Sequence, residues 1–157
     1  MQNHLLRFGS WLLPALATLT ASPAQAGDVI FTGLLINSCV INVSTPGGLG
    51  ATSEGNTLSS ELGSGVPAVL AVVAVGAAPT LSFAAPTLET PSGFSGTPSV
   101  AIRYQSTSGH NQPYTSGATT MTGGTLLDTV TINSRVQNSG GFTAGRYRVV
   151  STVTCQQ

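Results

Sequence analysis

The sequence has very few charged residues. Its 157 residues include five Arg, no Lys and five acidic residues, so charged residues make up 6% of the chain. That share is about a quarter of the usual one in a soluble domain. Long solvent-exposed helices need Glu, Lys and Arg on their wet face, so the composition excludes them. The formal net charge of zero leaves no basic patch for phosphates, which excludes electrostatic nucleic-acid binding.

Small polar and turn-forming residues take the place of the missing charge. Gly, Pro, Ser and Thr together make up close to half of the chain. Thr and Val suit pleated strands, whereas Gly and Pro mark turns. A hydrophobic content of 41% without net charge is the opposite of a disordered composition. Length and composition therefore predict one all-β domain.

The first 26 residues predict a secretory signal peptide. Arg7 precedes an uncharged apolar stretch from Phe8 to Ala21, and the sequence Ala24-Gln25-Ala26 provides a small-residue cleavage site. The alternative, a membrane anchor, needs roughly 20 apolar residues, and this stretch has only about 14. We therefore expect export, and a mature domain spanning residues 27–157.

A second apolar run extends from Val66 to Ala78. It is too short to span a membrane, and its β-branched residues between Pro67 and Pro79 favour a buried strand. The mature form is therefore expected to have no membrane span.

The mature part contains two cysteines, Cys39 and Cys155. Two thiols in an exported chain most often pair, and the predicted bridge is Cys39–Cys155. An intermolecular bridge or two free buried thiols are the alternatives. With two Cys and only His110 as a further soft ligand, the sequence predicts no metal site and no cofactor.

Alternating apolar residues predict a series of short strands. The first covers Val29–Val43 and places Cys39 on an apolar face; the last covers Arg146–Cys155 and places Cys155 on another. Strands are also expected near residues 57–62, 66–75, 80–88, 100–104 and 126–136, with a hairpin turn at residues 138–141. A disulfide needs Cα atoms within about 7 Å, so the first and last strands should be neighbours or face each other across the core. The pattern predicts an antiparallel β-sandwich.

Residues suited to catalysis are scarce. A Ser-His-Asp arrangement of His110 and Asp128 with a nearby Ser can be imagined, but no Gly-x-Ser-x-Gly elbow supports it. The acids are dispersed and form no close pair suited to glycoside hydrolysis: Asp28, Glu54, Glu61, Glu89 and Asp128. We expect no catalytic residues and no enzyme activity.

A long polar stretch, residues 105–125, is predicted to form a surface loop or a weakly paired hairpin. Its residues His110, Asn111, Gln112 and Tyr114 offer hydrogen bonds and one ring to a ligand. A plain connector is the alternative.

The stretch from Gly27 to Ile41 reads GDVIFTGLLINSCVI. It contains the pattern Gly-x-Val-x-Phe-x-Gly, followed by two aliphatic residues, a short polar step and a Cys. The residues of this pattern are Gly27, Val29, Phe31, Gly33, Leu35, Ile36, Asn37 and Cys39. It resembles the opening of mature major pilins of chaperone–usher (type 1-like) fimbriae. The closing stretch FTAGRYRVVSTVTC is similar to the last strand of fimbrial and spore-coat-U-like domains.

The resemblance implies an incomplete immunoglobulin-like, pilin-like β-sandwich whose missing strand comes from a neighbouring subunit. It also implies a structural subunit of a bacterial surface appendage for cell adhesion, a fimbria or pilus, exported through the periplasm to the cell surface. The implied partners are other appendage subunits, a periplasmic chaperone and an outer-membrane usher. The subunit-contact strand would carry Val29, Phe31, Gly33 and Leu35.

Three features depart from the pilin pattern. The cysteine partner lies at position 155 instead of soon after the first strand, the chain ends Cys155-Gln156-Gln157 without a terminal Tyr, and cleavage after Ala26 leaves almost nothing ahead of Gly27. The alternative is therefore a self-contained secreted or surface domain that binds a ligand, such as a carbohydrate, through its loops.

Overall fold

The structure, a computed structural model, describes residues 30–157. The predicted signal peptide and Val29 lie outside the described residues. Residues Leu34–Gln157 form one compact unit, and within residues 30–157 every regular element is a strand, with no helix. The strands are β1 (Ser38–Thr45), β2 (Gly50–Ala51), β3 (Thr57–Ser59), β4 (Ala68–Val75), β5 (Thr80–Phe83), β6 (Thr87–Glu89), β7 (Ser99–Ser106), β8 (Asn111–Thr115), β9 (Thr119–Thr122), β10 (Leu126–Gln137), β11 (Arg148–Val150) and β12 (Val153–Gln156).

The larger sheet is antiparallel and is organised around β10. One edge of β10 pairs with β4 over residues 126–132 and with β3 over residues 135–137. The other edge pairs with β7 over residues 130–137. β1 pairs with the far side of β4, β8 with the far side of β7, and β2 with β3. The long, β-branched sequence of β10 suits this central position, because a strand paired on both edges is largely buried.

The second layer consists of two small antiparallel sheets, β12–β5–β9 and β11–β6. Pro86 separates β5 from β6, since proline lacks the backbone N–H that a ladder requires. The segment that pairs with β5 and β6 is also interrupted, at residues 151–152 between β11 and β12. At this point the Ala84 N–H donates to the Thr152 carbonyl at 2.8 Å. The two small sheets thus continue one another along the same pair of chain segments.

The core lies between the two layers. Its buried residues alternate along strands of both layers, as period-two burial requires: Leu70, Val72, Leu81, Phe83, Ile102, Tyr104, Met121 and Val130. The rings of Phe83 and Tyr104 stack with centroids 4.1 Å apart, and the Tyr104 hydroxyl donates to Thr119 Oγ1 at 2.9 Å. The predicted all-β sandwich is confirmed.

The Cys39–Cys155 disulfide is also confirmed, with Cα atoms 6.0 Å apart. It joins β1 of the larger sheet to β12 of the second layer, so the first and last strands meet across the core. Both cysteines pack against the buried cluster.

Two expectations about strand boundaries and pairing need correction, and a third is confirmed in part. The first strand begins at Ser38 instead of Val29, because residues 30–37 have no partner strand within the described chain. The turn at residues 138–141 does not close a hairpin, since β10 and β11 lie in different layers and β11 pairs with β6. The stretch 105–125 was expected to be a surface loop or a weakly paired hairpin: its first half belongs to the β7–β8 hairpin, whereas β9 pairs with β5 in the second layer.

No helix in the described part of the chain is long and apolar enough to cross a membrane.

Candidate functional site

An open groove of about 500 Å³ lies between the two layers. Its floor comes from the inward faces of the larger sheet: Ile41, Val43, Ala68, Leu70, Ile102 and Ile132. Its other wall comes from the last part of the chain: Tyr147, Arg148, Val149, Ser151 and Val153. The groove opens to solvent, because Val43 and Val66 in its lining are 58% and 45% exposed. Part of the apolar lining therefore stays in contact with solvent.

Unpaired strand edges flank this groove on two sides, β1 on one side and β11 with β12 on the other. Within residues 30–157, β1 pairs with β4 alone, β11 with β6 alone and β12 with β5 alone. Each of these strands therefore offers N–H and C=O groups along its free edge. The disulfide lies two residues from Ile41 on one side and two residues from Val153 on the other, so it ties the two edges together beside the groove.

Two hydroxyls add polar groups to the groove lining: Ser60 in the turn after β3 and Ser134 in β10. Ser60 Oγ donates to Asn133 Oδ1 and accepts from the Ser134 N–H, both at 3.0 Å. Ser134 Oγ is buried and has no hydrogen-bond partner among the described residues. A buried hydroxyl without a partner is unusual in a folded protein.

The N-terminal segment, defined here as residues 30–36, is exposed and apolar. It reads Ile-Phe-Thr-Gly-Leu-Leu-Ile and has no charge. Five large side chains have between 69% and 91% of their surface exposed: Ile30, Phe31, Leu34, Leu35 and Ile36. Of the predicted contact residues, Phe31, Gly33 and Leu35 lie in this segment, and Val29 lies outside the described residues. Their role in subunit contact stays a prediction.

The residues of the predicted ligand loop lie along one hairpin. His110 follows the turn after β7, and Asn111, Gln112 and Tyr114 belong to β8. Tyr114 has partners that the sequence did not indicate: its hydroxyl donates to Glu61, and the Arg135 guanidinium lies over its ring, 4.1 Å from the centroid. Tyr114, Arg135 and Glu61 thus form a cluster, the Tyr114 cluster, whose residues come from β8, β10 and the turn after β3. These three parts of the chain are distant in sequence.

Charge and hydrogen bonding shift the pKa values of Glu61 and Tyr114 in this cluster. The Tyr114 hydroxyl and the Arg103 guanidinium both donate to the Glu61 carboxylate and lower its pKa, while partial burial opposes this shift. Partial burial and the bond to Glu61 raise the pKa of Tyr114. With Arg135 over the ring face and Glu61 on the hydroxyl, Tyr114 is already engaged by the protein's own side chains.

Asp128 is completely buried and holds the loop before β10. Its carboxylate accepts hydrogen bonds from the hydroxyls of Thr107 and Ser108, both at 2.7 Å, and from the backbone N–H groups of Ser108 and Gly124. Burial raises its pKa, but these four bonds outweigh burial and the pKa lies below its ordinary value. Ser108 donates directly to Asp128, whereas a Ser-His-Asp triad places the imidazole between them.

Within residues 30–157, no group of three or more His, Cys, Asp or Glu side chains converges in a way that would hold a metal ion.

Comparisons with protein-family models, with curated proteins and with solved structures find no significant match to the chain.

Proposed function

We propose that the protein is a non-enzymatic structural subunit of a bacterial surface appendage, and that the N-terminal segment of one copy fills the groove of the next. The observation that carries this proposal is the presence, in one chain, of an apolar groove between two unpaired strand edges and of an exposed apolar segment without charge. Insertion of the segment as an added strand would give the strand edges backbone hydrogen-bond partners and would bury the apolar side chains of the segment.

The length of the N-terminal segment matches that of β1, the strand beside the groove. Seven extended residues span about 23 Å at 3.3 Å per residue, close to the roughly 26 Å of an eight-residue strand. β1, which flanks the groove, has eight residues. The N-terminal segment is therefore long enough to run beside β1 for most of its length.

Burial would supply the driving force. Apolar surface removed from water contributes about 25 cal/mol per Å², and the segment exposes five large apolar side chains. Backbone hydrogen bonds to a free edge would add affinity and set the register of the inserted strand. Part of this gain offsets the ordering of the segment and the loss of free motion on association.

The shortage of charge also supports assembly. Proteins that stay monomeric commonly protect free strand edges with Lys, Pro or bulges. β1 reads SCVINVST and β12 reads VTCQ, so neither contains a charged residue or proline. β1 does have a register shift between Val43 and Thr45, and β11 carries one charge, Arg148. Edges of this kind suit a subunit that joins its neighbours through them.

The location and partners in the proposal come from the resemblance to fimbrial pilins. They are export through the periplasm, a place on the cell surface, other subunits, a periplasmic chaperone and an outer-membrane usher. A structural disulfide is compatible with an extracytoplasmic location. Ligand binding at the β7–β8 hairpin has less support, because Tyr114 is already engaged by Glu61 and Arg135.

A pair of variants on one strand tests this function. Val43 lines the groove, whereas Val40 lies on the opposite face of β1, and the two are 58% and 60% exposed. Sedimentation velocity of the mature wild-type chain should show concentration-dependent assembly. Val43→Arg should abolish assembly and Val40→Arg should preserve it. A wild-type chain that stays monomeric at high concentration would refute the proposal.

A further inference from the structure

We infer that the outer face of the sheet β12–β5–β9, called here the threonine face, binds the surface of ice. The face is defined by the outward side chains of these three strands: Thr80, Ser82, Thr120, Thr122, Thr154 and Gln156. None of them lines the groove between the layers. The inference therefore does not depend on the proposed function.

Alternation along the strands places these side chains toward solvent. Successive side chains of a strand point to opposite faces of its sheet. Leu81 and Met121, which lie between the face residues of β5 and β9, are at most 6% exposed. Cys155, between the two face residues of β12, packs against the core. The hydroxyls of the face thus lie on the opposite side of the sheet from the core.

Strand pairing arranges the side chains of the face in a two-dimensional array. Neighbouring strands lie about 4.8 Å apart, and alternate residues of one strand lie about 6.7 Å apart. The face therefore repeats at these two distances in two directions. Its residues form two rows across the three strands: Thr154–Ser82–Thr120 and Gln156–Thr80–Thr122.

The surface of ice has a matching kind of order. Water oxygens on the prism faces of hexagonal ice form straight rows that repeat at two distances close to those of the array. A Thr hydroxyl donates and accepts hydrogen bonds as a lattice water does, and water becomes ordered around its methyl group. Several such side chains on one rigid sheet engage the lattice together, so individually weak contacts add up to firm attachment.

The absence of charge on the face complements a neutral partner. β5, β9 and β12 read TLSF, TTMT and VTCQ, so none contains a charged residue. A charged group holds its own water strongly and loses free energy when that water is removed. The face also offers no cation to a phosphate and no outward aromatic ring on which a sugar would stack. Its chemistry therefore favours ordered water over ionic or sugar ligands.

An open depression of about 360 Å³ lies against the rows. This space holds about twelve water molecules at about 30 Å³ each. Water in the depression meets hydroxyls and methyl groups, the same groups that form the array. The small side chains of its lining are Ser82, Ala84, Ala118, Thr120, Thr152 and Thr154.

Thermal hysteresis, the gap between the melting and freezing temperatures of an ice crystal, tests the inference in the full mature chain. The wild type should open this gap and give the crystal flat facets. Thr120→Tyr should reduce the gap by about fivefold or more, because the ring holds the other contacts away from the lattice. Thr131→Tyr is the matched control, since Thr131 lies on the outward side of β10 in the other layer. It should leave the gap unchanged.

Three results would overturn the inference. The first is a wild-type chain that gives neither a gap nor facets at high concentration. The second is an equal loss in Thr120→Tyr and Thr131→Tyr, with thermal unfolding showing that both variants are folded. The third is depletion of the wild type by cellulose powder without any effect on ice, which would assign the face to a neutral polysaccharide. Sedimentation velocity of the same samples reports on the proposed function separately, because Thr120 lies outside the groove.

Discussion

Cys39 and Cys155 lie 116 residues apart in the sequence and are joined across the edge of the β-sandwich, with Cα atoms 6.0 Å apart. Cys39 belongs to β1 of the larger sheet and Cys155 to β12 of the second layer. The bridge therefore connects the two strand edges that flank the groove. It holds the layers together where no strand of the described chain closes them.

Loss of this disulfide should lower the free energy of unfolding by about 4–5 kcal/mol, because the bridge closes a loop of more than a hundred residues. Urea denaturation of the oxidised chain and of a Cys39→Ala/Cys155→Ala variant measures the difference. Equal unfolding midpoints would show that the bridge is not a main source of stability.

Asp128→Asn should destabilise the fold by about 2–3 kcal/mol at neutral pH, since the buried carboxylate accepts four hydrogen bonds. Its folded-state pKa is lowered, so its charge stabilises the fold above its unfolded pKa of about 3.9. That contribution disappears as the pH falls through the folded-state pKa. Urea denaturation at pH 7 and pH 3 should therefore show a weaker pH dependence in the variant.

Glu89→Gln is the matched control for Asp128→Asn. Glu89 forms a 3.5 Å ion pair with Arg148, and both side chains are largely exposed, so its loss should cost less than about 1 kcal/mol. If Glu89→Gln removes as much acid sensitivity as Asp128→Asn, the buried carboxylate is not the cause.

Phe83→Ala should cost about 3–5 kcal/mol, because Phe83 is 1% exposed and stacks on Tyr104 in the core. Phe31→Ala removes the same side chain from a position that is 91% exposed. In the unassembled protein, at low concentration, it should change the unfolding free energy by less than about 0.5 kcal/mol. Comparable losses at the two positions would contradict the assigned core.

Gly65→Ala should destabilise the fold by about 1–3 kcal/mol. A Cβ at Gly65 would lie 2.4 Å from the Ser59 carbonyl oxygen, whereas a Cβ at Gly63 would meet nothing within 4 Å. Gly63→Ala should therefore be neutral or slightly stabilising. Thermal unfolding compares the two, and equal melting temperatures would contradict the close approach of residue 65 to β3.

The apolar patterns predicted most of the longer strands, although the first strand begins at Ser38 instead of Val29 and β8 and β9 lie in a stretch expected to be a loop or a weakly paired hairpin. The bridge was predicted because the expected mature part has two cysteines. Leu70, Val72 and Ala74 alternate with more exposed residues in β4, and the apolar faces of the first and last strands placed both cysteines at the core. Local alternation does not determine which strands pair, however. The Gly-rich turn at residues 138–141 therefore suggested a hairpin, although β11 pairs with the more distant β6.

The candidate site depended on contacts that no local pattern reveals. Phe31 and Leu35 fit a strand pattern, yet whether they pair depends on a partner strand, and the described chain offers none. Ser134 became notable only because the fold buries its hydroxyl without a partner. The engagement of Tyr114 by Glu61 likewise joins residues far apart in sequence.

The central claim is that the N-terminal segment of one copy occupies the groove of another, and mixing two blocked variants tests it most directly. Val43→Arg blocks the groove but keeps the segment, whereas Leu34→Asp/Leu35→Asp blocks the segment but keeps the groove. Each variant alone should sediment as a monomer, and an equimolar mixture should form a 1:1 dimer and nothing larger. A mixture that stays monomeric, or variants that assemble on their own as the wild type does, would contradict the account.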